Sequence, residues 1–141
     1  MTVERRIQRR TFLLGGAALG ASLASRSFGL WPFRGAPLSA SERLASLLQQ
    51  VDGARSVGRE YLRQVPAEAS PGILMVRVAE RVPGGLRAID AASDGRLREL
   101  LVRAAAEDFR DLRTVELDGW VLARTEARLC ALAALGESIP G

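Results

Sequence analysis

Glu107, Asp108 and Asp111 form the densest acidic cluster of the 141 residues, and Glu107 and Asp111 share one helix face at i, i+4. A carboxylate pair spaced in this way can hold a divalent cation through oxygen. Arg103, Arg110 and Arg113 lie within helical reach of the same groups. The spacing therefore predicts a solvated ion-pair network, worth roughly 0.3 kcal/mol per pair. Other reaction chemistry is narrowed by what the chain lacks. There is no His, no Lys and a single Cys, Cys130. No Ser-His-Asp or Cys-His nucleophile can be assembled, and without Lys there is no Schiff base. A structural zinc site has too few nitrogen and sulfur ligands, and neither haem nor an iron–sulfur cluster finds its usual ligands. The expectation is a protein with no catalytic residues, no metal and no cofactor. Cys130 cannot form an intramolecular disulfide and is expected to be buried.

The elements that would position such residues read as helices. Ser39-Ala40-Ser41-Glu42 is a capping box, followed by Leu44, Leu47, Leu48 and Val51 at helical spacing, with Asp52-Gly53 as the stop. A second helix is predicted from about Ala54 to Val65, with Val57, Tyr61, Leu62 and Val65 inward and Pro66 closing it. Gly58 on that helix is expected to permit close helix contact. Ser70-Pro71 reads as a third start, Ser as cap and Pro in the first turn. Ile73, Leu74, Val78 and Val82 continue it, with a strand between Ile73 and Val78 as the alternative. Leu86 to Ala92 gives one or two turns. Ser93 or Asp94 caps the longest helix, which turns Leu97, Leu100, Leu101, Ala104, Ala105, Phe109 and Leu112 inward. Thr114 to Leu122 alternates around Asp118-Gly119 and predicts a short hairpin, with Leu117 or Trp120 packed on the helices. The last helix, from about Arg124 to Leu135, is apolar on nearly every side and is expected at the centre of the domain.

The sequence pI near 10.8 suggests a nucleic-acid partner until the charge is located. All twenty basic residues are Arg, and Arg5, Arg6, Arg9 and Arg10 stand in the first 24 residues beside one acid, Glu4. Beyond Ala24, 16 Arg face 15 Asp and Glu. A phosphate-binding surface needs a clustered positive excess on the folded domain, so no nucleic-acid partner is expected. The first 24 residues run from a basic head through an uncharged middle to small residues, the layout of an export signal. The uncharged run from Thr11 to Ser25 is 15 residues, shorter than the roughly 20 needed to span a bilayer. Ser25 to Leu38, with Gly29, Trp31-Pro32, Gly35 and Pro37, reads as a flexible linker. Within it Trp31 and Phe33 read as stray exposed aromatics, with a docking patch as the alternative.

Arg9-Arg10-Thr11-Phe12-Leu13 resembles the twin-arginine translocation signal, whose pattern is two Arg, any residue, Phe and Leu. The resemblance implies that Arg9, Arg10, Phe12 and Leu13 are read by the twin-arginine translocase. It implies export of a folded protein to the bacterial periplasm, with membrane contact only during passage. Arg26 resembles the basic tail of such signals. Ser22-Leu23-Ala24 places small residues for cleavage after Ala24; Ser25-Arg26-Ser27 and Ser27-Phe28-Gly29 are alternatives. The domain plan is then a signal over 1–24, a linker over 25–38 and a helical domain over 39–137. The fold expected is all-α: four or five helices and a small hairpin, preceded by a signal helix.

Asp108-Phe109, Asp118-Gly119-Trp120-Val121-Leu122 and Thr125-Glu126-Ala127-Arg128-Leu129-Cys130 resemble a block found in small twin-arginine exported bacterial proteins of unassigned activity. In that group a Ser often stands in the place of Ala123, where it would form a capping box with Glu126. The resemblance implies Trp120, Thr125, Glu126 and Arg128 as a partner or ligand surface. The alternative is that Trp120 fills the core and Glu126 and Arg128 only begin the helix. The function expected is an exported accessory or maturation subunit for a larger, redox enzyme of the periplasm. A stand-alone periplasmic module that binds a small ligand beside Trp120 is the alternative, and a carboxylate enzyme built on Glu107, Asp108 and Asp111 comes third.

Overall fold

The computed structural model describes residues 8, 9, 12, 13, 39–48 and 51–136. Six helices and a small sheet make up this part. β1 is Gln8–Arg9, α1 Ala40–Ser46, α2 Ala54–Gln64, α3 Pro71–Ala79, α4 Gly85–Ala91 and α5 Asp94–Arg110. Then follow β2 Thr114–Leu117, β3 Trp120–Ala123 and α6 Arg124–Leu135, with a single 3-10 turn at Pro66–Glu68 between α2 and α3.

Local chemistry accounts for most boundaries. The capping box at α1 is present: Ser39 Oγ accepts from the Glu42 amide at 3.3 Å, and the Glu42 carboxylate accepts from the Ser39 amide at 2.7 Å. α1 ends earlier than the apolar spacing predicts, at Ser46, yet Leu48 is buried and Val51 packs against the core. The segment over Ile73 to Val78 is helix, not strand. Ser70 stands at the N-cap of α3, but its side chain makes no capping hydrogen bond, so Pro71 carries that start alone. Ser93, not Asp94, caps α5, its Oγ accepting from the Arg96 amide at 3.2 Å.

The end of α5 corrects one inward assignment. The Arg113 amide donates to the Asp108 carbonyl at 2.8 Å and the Leu112 amide to that of Phe109 at 3.3 Å, a Schellman ending. Leu112 takes the left-handed position at φ 57 and is 84% exposed. A branched side chain is costly there and packs on nothing. Leu112→Gly is therefore expected to raise the unfolding free energy by about 0.5 kcal/mol, the relief of strain exceeding the entropy that glycine adds to the unfolded chain. Urea denaturation checks the sign.

The hairpin forms where the sequence places it. Asp118 and Gly119 both take positive φ, 50° and 81°, which gives the two-residue turn that suits the strand twist. Leu117 faces Trp120 across it, and Leu117 is buried while Trp120 is half-buried. The third strand is the unexpected one. Gln8 and Arg9 pair in parallel with Trp120 and Val121, so the order is β1-β3-β2, and β3 is flanked on both edges.

Phe12 and Leu13, just past β1, are 3% and 1% exposed. Of the expected signal helix, the four described positions are a strand at Gln8 and Arg9 and two core residues at Phe12 and Leu13. The rest of that segment, the linker with Trp31 and Phe33, and the cleavage positions near Ala24 lie outside the described residues. Among the described residues no helix is long and apolar enough to cross a membrane.

α6 is the axis of the bundle. It packs against α1, α2, α3, α5 and both strands of the hairpin, and every residue from Thr125 to Ala134 is buried. Its closest neighbour is α2. A Cβ added at Gly58 would overlap the Cys130 carbonyl and approach the Ala131 nitrogen, so only glycine lets the two backbones meet.

Candidate functional site

The first turn of α6 holds three polar residues that the packing turns inward, each toward a different element. Its N-cap is Ala123, which has no side chain to offer the first amides. Asp108 of α5 supplies the cap instead: its Oδ2 accepts from the Thr125 amide at 2.8 Å and from Thr125 Oγ1 at 2.7 Å. Arg81 Nε donates to Asp108 Oδ1 at 3.1 Å, and Arg113 Nε lies 3.5 Å from the same oxygen. Asp108 is 1% exposed, so it does not belong to a solvated network. Glu107 pairs with Arg103 at 3.2 Å, and Asp111 pairs with Arg113 and lies 3.8 Å from Arg81. The three carboxylates thus face Arg or a helix start. Among the described residues no group of three or more Cys, Asp or Glu is arranged to hold a metal ion.

Glu126, one residue on, is 1% exposed and reaches the N-terminal segment. The Phe12 amide donates to its Oε1 at 3.1 Å. Burial pushes the Glu126 carboxyl above the usual carboxylate range, opposed by the amides of Phe12, Leu13 and Ala123 that turn toward it. Oε2 is buried and has no hydrogen-bond partner among the described residues.

Arg128, two residues further, grips Glu68 in a two-point pair, Nε to Oε2 at 2.9 Å and Nη2 to Oε1 at 2.8 Å. Tyr61 Oη donates to Glu68 Oε2 at 2.6 Å. The Arg128 guanidinium holds the Glu68 carboxyl below the usual range. Burial and the bond to Glu68 push the Tyr61 hydroxyl up from 10.0 to about 12. The folded chain thus keeps this proton where the unfolded chain loses it. The associated stability is complete below pH 10 and is lost as pH rises through about 12. Tyr61 is the only tyrosine, so phenolate absorbance reports it alone. A midpoint near 12 while far-ultraviolet circular dichroism stays native is expected; a midpoint near 10 in the folded chain would refute the buried triad.

No family model matches the chain, nor does any curated protein or solved structure.

Of the residues singled out in the sequence, Thr125, Glu126 and Arg128 are brought together on one helical turn, but inside the protein. They are not a surface: α6 is enclosed on every side, so each polar group there must find an internal partner. Trp120 is half-buried on the central strand beside β1. Of the residues read as a translocation signal, Arg9 is in β1, Phe12 and Leu13 are in the core, and Arg10 lies outside the described residues. Cys130 is fully buried and no solvent reaches its thiol.

Helical spacing turns Tyr61 inward but does not encode its partner Glu68 on the 3-10 turn, nor the reach of Arg81 to Asp108. An open groove of about 310 Å³ lies between α4 and α5, lined by Pro83, Ala88, Leu100, Arg96 and Arg103 among others, and Trp120 takes no part in it. What the α6 turn can do chemically is narrow. It holds main-chain amides and a guanidinium by buried carboxylates, and it holds an extended segment along β3.

Proposed function

We propose that this protein is an exported, non-catalytic accessory or maturation subunit that binds a larger periplasmic redox enzyme. The observation that carries this is the use made of its polar groups. Asp108, Thr125, Glu126, Glu68, Tyr61 and Arg128 are all engaged in holding elements of the domain together, the use expected of polar groups in an interaction protein without chemistry of its own. The likeness of Arg9-Arg10-Thr11-Phe12-Leu13 to a twin-arginine signal supports delivery by that translocase, a route taken by proteins that fold before export. The near balance of 16 Arg against 15 acids beyond Ala24 supports a protein partner and no nucleic acid.

Gentle purification of the full chain from periplasm tests the proposal. Stoichiometric recovery with a larger protein that shows a flavin, haem or metal-cofactor spectrum is expected. Recovery as a lone monomer by native mass spectrometry would overturn it.

A further inference from the structure

The N-terminal segment sits on the domain in a way that defines an acceptor. β3 is the central strand, and among the described residues its second edge is covered by the two residues of β1. A strand edge with unpaired amides and carbonyls is a template for another extended chain. Beside that edge, Phe12 and Leu13 fill core positions at 3% and 1% exposure, and Glu126 Oε1 takes the Phe12 amide. The amides of Leu13 and Ala123 also turn toward this carboxylate, so it receives main-chain donors from the segment and from the start of α6 alike.

We propose that the β3 edge and the Glu126 carboxylate form an acceptor for an extended segment of the partner that carries an aromatic–aliphatic pair, occupied in cis by Gln8, Arg9, Phe12 and Leu13 until those residues leave. The inference rests on the accessory-subunit reading and names the surface and the partner chemistry it needs. Main-chain pairing along β3 supplies affinity without sequence, and the two apolar positions supply selectivity. The aromatic–aliphatic requirement follows from the occupant already seated, Phe12 followed by Leu13. The pairing is parallel, which fixes the direction in which a partner segment must run. While the N-terminal segment is attached, it competes at an effective concentration on the order of millimolar. A partner is therefore excluded from the full-length resting protein and admitted once the segment is displaced or cut away.

The test uses the full chain and one probe, an acetylated and amidated peptide with the sequence of residues 7 to 14. The chain with Phe12→Ala and Leu13→Ala, which empties the cradle in cis, is expected to bind the peptide saturably in calorimetry. The unaltered chain is expected to bind it at least tenfold more weakly, and the same peptide with both residues replaced by Ala should not bind. Adding Glu126→Ala to the emptied chain should weaken binding about tenfold. Circular dichroism establishes that the emptied chain is folded, and Phe12→Ala alone serves if the pair is not. Failure of either folded, emptied chain to bind the peptide overturns the acceptor, as does equal binding by emptied and unaltered chains. The two proposals fail separately. A cofactor enzyme that still co-purifies with a chain unable to bind the peptide overturns the acceptor alone, whereas peptide binding by a protein recovered alone overturns the accessory role.

Discussion

Gly58→Ala is expected to destabilise the protein by about 3 kcal/mol, although alanine is the better helix former. Two effects oppose each other. In a free helix the exchange gains about 1 kcal/mol. Against it stands a Cβ that would overlap the Cys130 carbonyl and approach the Ala131 nitrogen, both backbone atoms of the central helix. Overpacking a core ordinarily costs 1–3 kcal/mol when side chains can yield. Here α2 and α6 must move apart bodily, which loosens contacts along both, so the steric effect wins. Gly95→Ala is the control: nothing lies within 4 Å of the added carbon, and a gain of roughly 0.5 kcal/mol is expected. Chemical denaturation of both variants gives the comparison. Equal and small effects of the same sign would show that α2 and α6 do not meet at Gly58.

Asp108→Ala is expected to cost about 3–4 kcal/mol. The carboxylate caps α6 through the Thr125 amide, accepts the Thr125 hydroxyl and pairs with Arg81. Loss of a helix cap alone costs about 1 kcal/mol, and stranding the buried Thr125 hydroxyl adds roughly 1–2 kcal/mol. Arg81 keeps a 21% exposed side chain and recovers part of its hydration, which holds the total below the upper range for a broken buried pair. Asp108→Asn keeps one oxygen for Thr125 and is expected to lose less than half as much. Urea midpoints with an unchanged slope test this. A loss under about 1 kcal/mol for the alanine variant would place Asp108 in solvent, contrary to the cap described.

What the sequence conveyed and what it hid divide by range. The capping box at Ser39 and the positive-φ turn at Asp118-Gly119 depend on neighbours a few residues apart, and each is found; the glycine at position 58 signals a close approach, but not that its partner is Cys130 on α6. The apolar surround of the last helix correctly implied a central position. The same fact should have implied that Thr125, Glu126 and Arg128 point inward, since no turn of an enclosed helix has an outer face. Their partners come from α5, the N-terminal segment, and α2 with the 3-10 turn. Spacing along one helix contains no information about them. Ala123 looked like a missing cap because a cap is usually local; Asp108 supplies it from 17 positions earlier. Leu112 continued the apolar spacing of α5, but the chain had already turned into a left-handed ending that spacing does not encode. Phe12 and Leu13 have the composition of an export signal and of a core alike, and only tertiary packing distinguishes the two.

The parallel pairing of β1 with β3 also sets an order of events. Phe12 and the carboxylate that receives its amide are 114 positions apart, so the first described strand has nowhere to go until the last third of the chain exists. At ordinary synthesis rates of 5–20 residues per second that interval is on the order of 10 s. Contacts of such long sequence separation also close late in folding. During that time the helices from α1 onward can begin to associate before β1 has its partner strand. In the finished fold Phe12 and Leu13 are core residues, so this one pairing ties the first described strand to the last helix and makes the stability of each depend on the other.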